Sequence, residues 1–351
     1  MTSFPALLPY GWGDRWAALL GEVPDGRPGR VIRHDGVAVL VMTADGERSI
    51  PLHRTLEPAP VVGDWLGLAS DDRIAAVLPR SSLLRRRAAG REVEQPIVAN
   101  ADLVVIVCGL DRPVERGRIQ RFTALAWDAG AEPAVVLTKA DLADDPAPVV
   151  ATVTDEAPGI EVRLVSSVRG DGIDEVRRLV AGRSVVLVGE SGAGKSTLLN
   201  ALADADIAAT GAVRASDAKG RHTTTSRHLH PLPGGGVLID TPGVREVGLW
   251  VEAGAVADTF PEIDELAVDC RFNDCIHETE PGCAVTAAVA AGDLAADRLQ
   301  AWRDLLAEAQ SATRRSDPAA QRRFGRQSGR IAREAQRLKN AADPTDDSPP
   351  T

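Results

Sequence analysis

The chain of 351 residues has no run of about 18 consecutive apolar residues, the length a membrane-spanning helix needs, so no membrane association is expected. Residues 1–12 lack the basic region and apolar core of a secretion signal, and a cytoplasmic protein is expected. Cysteine is scarce, with four residues, which argues against a disulfide scaffold. Cys270, Cys275 and Cys283 cluster beside His277 while Cys108 sits alone in an apolar stretch, a pattern of metal ligation plus one core thiol rather than of two disulfides. An excess of positive charge is also lacking: 40 Lys and Arg against 50 Asp and Glu leave a formal charge of −10. That balance argues against indiscriminate nucleic-acid binding by the whole molecule and is compatible with local basic faces. The 44% hydrophobic and 26% charged content is that of a folded protein, long enough for two or three domains.

The expected fold is a multidomain α/β chain. After an extension (1–28), short β-rich runs at Arg30-Val31-Ile32, Val37-Ala38-Val39-Leu40-Val41 and Trp65-Leu66-Gly67-Leu68 are broken by the turn dipeptides Asp35-Gly36, Asp45-Gly46 and Gly63-Asp64. They predict a small barrel, an OB-fold over 29–79, with a β-sandwich fragment as the alternative. A basic linker over 80–96 contains Arg85-Arg86-Arg87. From 97 to 250 apolar strands alternate with amphipathic helical stretches, the signature of a parallel sheet wrapped by helices. Strands are predicted at 103–107, 134–137, 162–165, 184–188 and 237–239, with helices at 115–129 and from Lys195 to Ala203. A mostly helical domain with a basic tail follows over 251–340, then a disordered end rich in Pro, Asp and Thr over 341–351.

Within the α/β region the order of motifs is unusual. Gly189-Glu190-Ser191-Gly192-Ala193-Gly194-Lys195-Ser196, followed by Thr197, is a phosphate-binding loop: its glycines let backbone N–H groups face phosphate at a helix N-terminus. Lys195 should reach the β and γ phosphates, and Ser196 should ligate Mg²⁺. Asp240-Thr241-Pro242-Gly243 supplies Asp240 to hold the Mg²⁺ through water and the Gly243 N–H to touch the γ-phosphate. The base reader Thr138-Lys139-Ala140-Asp141 comes before both, whereas an ordinary G domain has it last, so the order predicts a circularly permuted P-loop GTPase. Asp141 can accept two hydrogen bonds from guanine N1–H and the 2-amino group, which adenine cannot match. Lys139 would lie over the base, and Ser166-Ser167 can offer a backbone donor to the guanine carbonyl. Thr138 stands where most GTPases carry Asn.

Gly220-Arg221-His222-Thr223-Thr224-Thr225 falls where a first switch loop must lie, and Thr224 is favoured there as the γ-phosphate-dependent Mg²⁺ ligand. Val244 occupies the place of the usual water-orienting Gln and cannot do that work. His222 is then the candidate that orients water, against the alternative of an exposed loop histidine; His228 and His230 read as strand residues with no catalytic task. Cys270, Cys275, His277 and Cys283 in the spacing C-x4-C-x-H-x5-C supply four ligands to one closed, tetrahedral, structural Zn²⁺ site, with a helix over 294–310 packing on it. Residues 314–339 are strongly basic, either a solvated cationic helix or an RNA contact.

Taken together, TKAD, SSV, GESGAGKS, GRHTTT, DTPG and the Cys/His spacing, flanked by a β unit and a basic tail, closely resemble the ribosome small-subunit-dependent GTPase A family, RsgA, over roughly residues 29–339. The resemblance implies an OB-fold, a permuted G domain and a helical zinc domain. It implies a GTP hydrolase stimulated by the small ribosomal subunit, a role in late maturation of that subunit and binding to its rRNA. It also supports Cys270, Cys275, His277 and Cys283 as zinc ligands and His222 as catalytic. A monomer is expected. The sequence leaves two rivals: an RNA-binding chaperone with a mainly structural guanine-nucleotide site, and a small-molecule kinase, against which Asp141 argues.

Overall fold

The computed structural model describes residues 4–53, 56–87, 94–207, 227–241 and 253–316. A 3-10 turn at Pro5–Tyr10 and helix α1 (Asp14–Leu20) precede strands β1 (Arg27–His34), β2 (Ala38–Thr43), β3 (Gly46–Pro51), β4 (Trp65–Leu68) and β5 (Ile74–Val77). Burial along β2 alternates residue by residue, as expected for a strand covered on one face. The five strands pair antiparallel in the order β3-β2-β1-β4-β5. The small β unit read from the sequence is therefore present as an antiparallel sheet. Among the described residues no β3–β5 pairing closes it, and a cavity of about 680 Å³ lined by Arg48, Ile50, His53, Asp71 and Ile74 lies between those two strands. Trp12 and Trp16 of the N-terminal extension pack on Trp65 with ring centroids 5.0 and 5.9 Å away, giving this end its own apolar core with Leu7, Leu20 and Leu78.

Strands β6 (Leu83–Arg87) and β7 (Glu94–Ala99) pair antiparallel, so most of the described residues of the stretch 80–96, expected as a basic linker, are paired strand. Three of its cations have partners. Arg80 pairs with the buried Asp64 at 2.8 Å, Arg85 with Asp128 at 2.8 Å, and Arg86 donates to Gln95 at 3.0 Å.

Then follow β8 (Leu103–Gly109), α2 (Arg116–Asp128), β9 (Glu132–Thr138), α3 (Ala147–Glu156), β10 (Glu161–Leu164), α4 (Ile173–Val180), β11 (Ser184–Val188), α5 (Lys195–Ala203), β12 (His228–Pro231) and β13 (Val237–Asp240). The sheet order is β10-β9-β8-β11-β13-β12, parallel except for β12. Alternate residues separate the two faces, as the two-residue period of a strand requires. Leu103, Val105, Val107, Val185, Leu187 and Leu238 point to the core shared with α4 and α5. Val104, Ile106, Val186, Val188 and Ile239 point to the opposite core, shared with α2 and the C-terminal helices. β12 also pairs with β1, Arg33 opposite His228, which makes one sheet of eleven strands among the described residues.

The C-terminal part is helical: α6 (Ala253–Thr259), α7 (Pro261–Ala267), α8 (Ala284–Ala291) and α9 (Ala296–Ser316). Val256, Phe260, Ile263, Leu299 and Leu305 share a core with Ile119 and Phe122 of α2. Arg298 lies buried at this junction over the Phe260 ring. It donates to Glu262 at 2.6 Å and to the Glu156 and Thr259 carbonyls at 2.9 Å, so the buried charge is fully answered. No helix among the described residues is long and apolar enough to cross a membrane.

Candidate nucleotide site and metal cluster

From β8 the chain proceeds to β9 and β10 on one side, then returns to β11 and continues to β13 on the other. The switch point thus lies between β8 and β11, and a crevice at the carboxyl ends of such strands is where open α/β sheets bind ligands. Three loops converge there, after β8, β9 and β11. Gly189 begins the phosphate loop with φ +137°, and a Cβ on it would sit 2.2 Å from the Val107 carbonyl oxygen, so only glycine lets β11 turn this tightly against β8. The loop ends at Gly194, which opens α5 at Lys195. Lys195 Nζ donates to the Gly189 carbonyl at 2.7 Å and also to that of Glu190, which places the ammonium over the mouth of the loop.

The base-reading loop is tied to the same place. Thr138, buried at the end of β9, donates its hydroxyl to the Ala193 carbonyl of the phosphate loop, and its Oγ1 lies 3.3 Å from the Cys108 carbonyl oxygen. In this chain Thr138 therefore joins two loops instead of facing open crevice. Lys139 is held at φ +59°, uncommon for a residue with a side chain, and the Ala140 N–H donates to the Val165 carbonyl at 3.1 Å. Asp141 accepts a hydrogen bond from the Ser166 hydroxyl at 2.6 Å, which lowers its pKa below the usual carboxylate value and keeps it an acceptor. Ser166 is buried, and Ser167 beside it is half-buried. Asp240 stands at the end of β13, which runs parallel beside β11.

His228 and His230 lie in β12 with their rings stacked 4.6 Å apart. Burial lowers the pKa of both, His230 to about 4, so the pair is neutral near pH 7. Burial raises the Cys108 thiol to about 11, as befits a core thiol.

In the C-terminal part, Cys270, Cys275, His277 and Cys283 bring one ligand atom each to within 4.8 Å of one another, a set that can hold a metal ion. Cys270 Sγ is 3.6 Å from His277 Nδ1 and 3.9 Å from Cys283 Sγ, and Cys283 Sγ is 3.4 Å from His277 Nδ1. Cys283 also caps α8, accepting from the Thr286 N–H at 3.4 Å. Arg303 of α9 donates to the His277 carbonyl, and the Trp302 ring lies 5.3 Å from the imidazole, so the expected helix does pack on the cluster.

The RsgA GTPase family model matches residues 77–250. A Streptomyces coelicolor protein named small ribosomal subunit biogenesis GTPase RsgA is 44% identical over 332 residues, 91% of this chain and 91% of its own. The chain belongs to the RsgA GTPase family. A protein of the same printed name from Syntrophotalea carbinolica is 42% identical over 332 residues, 89% of this chain and 91% of its own length. Among solved structures, YjeQ from Thermotoga maritima superposes with a TM-score of 0.62 at 26% identity, covering 81% of this chain and 98% of its own. YloQ, described as a circularly permuted GTPase, superposes at 0.59 over 82% and 96% of the two chains; at 24% identity it speaks for the fold alone.

The structure thus brings together Thr138, Lys139, Asp141, Ser166, the loop 189–197 and Asp240 at one edge of the sheet, and the four Cys/His residues in a separate cluster. His222, Thr224, Gly243 and Val244 lie outside the described residues, as do most of the basic stretch 314–339 and the end 341–351. Sequence reading missed Asp111, Arg112 and Arg118, which join the phosphate loop and the base reader. The signal was available: Asp111 follows β8 at the carboxyl edge beside the switch point, where loops carry ligand-site residues.

Proposed function

We propose that this family member hydrolyses GTP to GDP and phosphate on the small ribosomal subunit, acting as a late-stage assembly factor in the cytoplasm that departs after turnover. The carrying observation is that Asp141 and the phosphate loop meet at one crevice through Thr138 and Ala193, in the reverse of the usual chain order. Relatives covering nine-tenths of the chain, named as small ribosomal subunit biogenesis GTPases, supply the partner. On this reading Asp141 selects guanine, Lys139 lies over the base, and Ser166-Ser167 meets the guanine carbonyl. Residues 189–197 cradle the phosphates at the α5 N-terminus. Lys195 exchanges loop carbonyls for phosphate oxygens as the chain's own cation there. Ser196, Thr224 and Asp240 would hold Mg²⁺, which would supply positive charge to offset that of the phosphates. His222 orients the attacking water, a task Val244 cannot perform, and Gly243 senses the γ-phosphate.

The Cys/His cluster holds one structural Zn²⁺. A tetrahedron with Zn–S near 2.3 Å has edges of about 3.8 Å, and edges to a nitrogen ligand are shorter. The sulfur–sulfur and sulfur–nitrogen separations of 3.9, 3.6 and 3.4 Å fit that shape. Four protein ligands leave no open position for substrate. The N-terminal β unit, as an OB-fold, and the basic stretch 314–339 are the proposed rRNA contacts, and the protein acts as a monomer.

The reading is tested by GTP turnover with and without purified small subunits at fixed salt. Turnover should rise on adding subunits and remain flat with large subunits; no response to small subunits would refute the proposal. His222→Ala should lower the stimulated rate roughly a hundredfold, the scale of a lost proton-positioning group, with GTP affinity within about twofold of the parent. Equal loss of binding and rate would make His222 structural.

A further inference from the structure

The base reader and the phosphate loop are also joined by a chain of charges that the motifs do not contain. Lys139 Nζ is 2.8 Å from Asp111 Oδ2. Arg112 Nη2 is 3.0 Å from that same oxygen, and Arg112 Nη1 is 3.7 Å from Glu190 Oε2 in the phosphate loop. Arg118, in the first turn of α2, closes on the other oxygen of Glu190. The run Lys139–Asp111–Arg112–Glu190–Arg118 alternates in sign throughout. It passes beside Gly109, where there is no room to spare: a Cβ there would sit 2.6 Å from Asp111 Oδ1 and 3.5 Å from both Lys139 Cδ and Ala193 Cα. All three loops of the crevice are therefore packed against one another at this residue.

We propose that Asp111 is a positioning residue for guanine recognition: it anchors the Lys139 ammonium through the ion pair and so holds the Lys139 stem, the left-handed turn and Asp141 in register with the phosphate loop. The proposal rests on the reading of this crevice as a guanine-nucleotide site. Each ion pair is partly exposed, and an isolated pair of that kind contributes little to folding stability. Its effect is expected on the ligand instead, because a base reader free to shift by about an ångström loses the alignment that directional hydrogen bonds need. The Asp111 carboxyl is well suited to the task. Hydrogen bonds from Arg112 and then Lys139 bring its pKa down to about 2, so it remains an anion throughout the pH range in which the protein would work.

The experiment compares GDP with inosine diphosphate, which lacks the 2-amino group, in the full-length protein and in Asp111→Asn, which keeps the size of the side chain and removes its charge. The parent should prefer GDP by about tenfold or more, the value of one hydrogen bond to a charged acceptor. In Asp111→Asn, GDP affinity should fall about tenfold and IDP affinity only about twofold, so that the preference shrinks, with kcat at saturating GTP retained while KM rises. Arg112→Gln, one link further along, should show the same pattern at about threefold. Equal loss of GDP and IDP in both variants, or no loss in either, would overturn the positioning role. A parent protein with no preference for GDP over IDP would instead refute the guanine-site reading itself.

Discussion

Asp141→Asn should reverse the base preference of the protein, lowering GDP affinity about a thousandfold while xanthosine diphosphate becomes the tighter ligand by about tenfold. The argument starts from Ser166. Its hydroxyl donates to one oxygen of Asp141 at 2.6 Å, and an asparagine in the same place keeps its carbonyl oxygen on that donor. Its N–H₂ then takes the position of the second carboxylate oxygen. Guanine brings a 2-amino donor to that position and meets another donor; xanthine brings a 2-oxo acceptor and is satisfied. The 2-amino bond becomes a donor–donor clash and the bond to N1–H loses its charged acceptor; together these changes, at about 4 kcal/mol, account for a thousandfold loss on the guanine side. A site built to pair a particular polar group discriminates by factors of this size. Fluorescence titration with GDP and XDP measures it, and thermal unfolding of the nucleotide-free variant should match the parent. Parallel weakening of both nucleotides would show that Asp141 does not read the base.

Removing the metal should produce the largest structural effect, and a local one. Residues 268–283 contain little apolar packing of their own: Val268, Phe272 and Ile276 are exposed, while His277 and Cys283 are buried in the cluster itself. Without an ion, the four ligand atoms brought within 4.8 Å of one another have nothing to compensate the entropy of the turns that collect them. Structural zinc sites of this size supply about 10 kcal/mol or more of folding free energy at neutral pH. Helix α8 begins on Cys283, whose sulfur caps it, and should be lost with the knuckle. Helices α6, α7 and α9 are also anchored by the core with α2 and by the Arg298 network, whereas α8 contributes two buried side chains, Val285 and Ala288, to that core. Chelation, or Cys283→Ser, should therefore abolish amide protection over residues 268–291 in hydrogen exchange and leave α6 and the inner face of α9 protected. Unchanged protection of the knuckle in metal-free protein would refute the structural-metal role; loss of all four helices would mean that the ion, not the α2 interface, holds the domain.

The site was more legible than its supports. Phosphate cradling needs glycine and lysine at set intervals along one turn, so residues 189–196 can be recognised locally. The proposed base reading needs an acid at a strand end, where Asp141 stands, and the Cys/His spacing likewise keeps four candidate ligands within one short stretch. The strands of the α/β region were legible because a doubly covered strand is a continuous apolar run: Leu103–Gly109 and Ser184–Val188 are almost wholly buried. The pairing of β6 and β7 was not, because Arg85-Arg86-Arg87 reads as solvated charge until Asp128, distant in sequence, is seen to meet it. The role of Thr138 was hidden for the same reason: its partner, the Ala193 carbonyl, is 55 residues away.

What the sequence by itself determined is the chemistry available and its order along the chain: the Asp141 carboxylate at a strand end, the glycine-rich loop 189–196, Asp240, and three thiols with one imidazole. Only the tertiary structure decided that β8 and β11 lie side by side, which places Asp111, Arg112 and Arg118 between the base reader and the phosphate loop. It likewise decided that the C-terminal helices rest on α2, the helix whose first turn carries Arg118. The physical reason is one of range. Backbone conformation and ligand spacing act over a few residues and are written in local patterns, whereas ion pairs and close packing form between whichever surfaces the sheet order brings into contact.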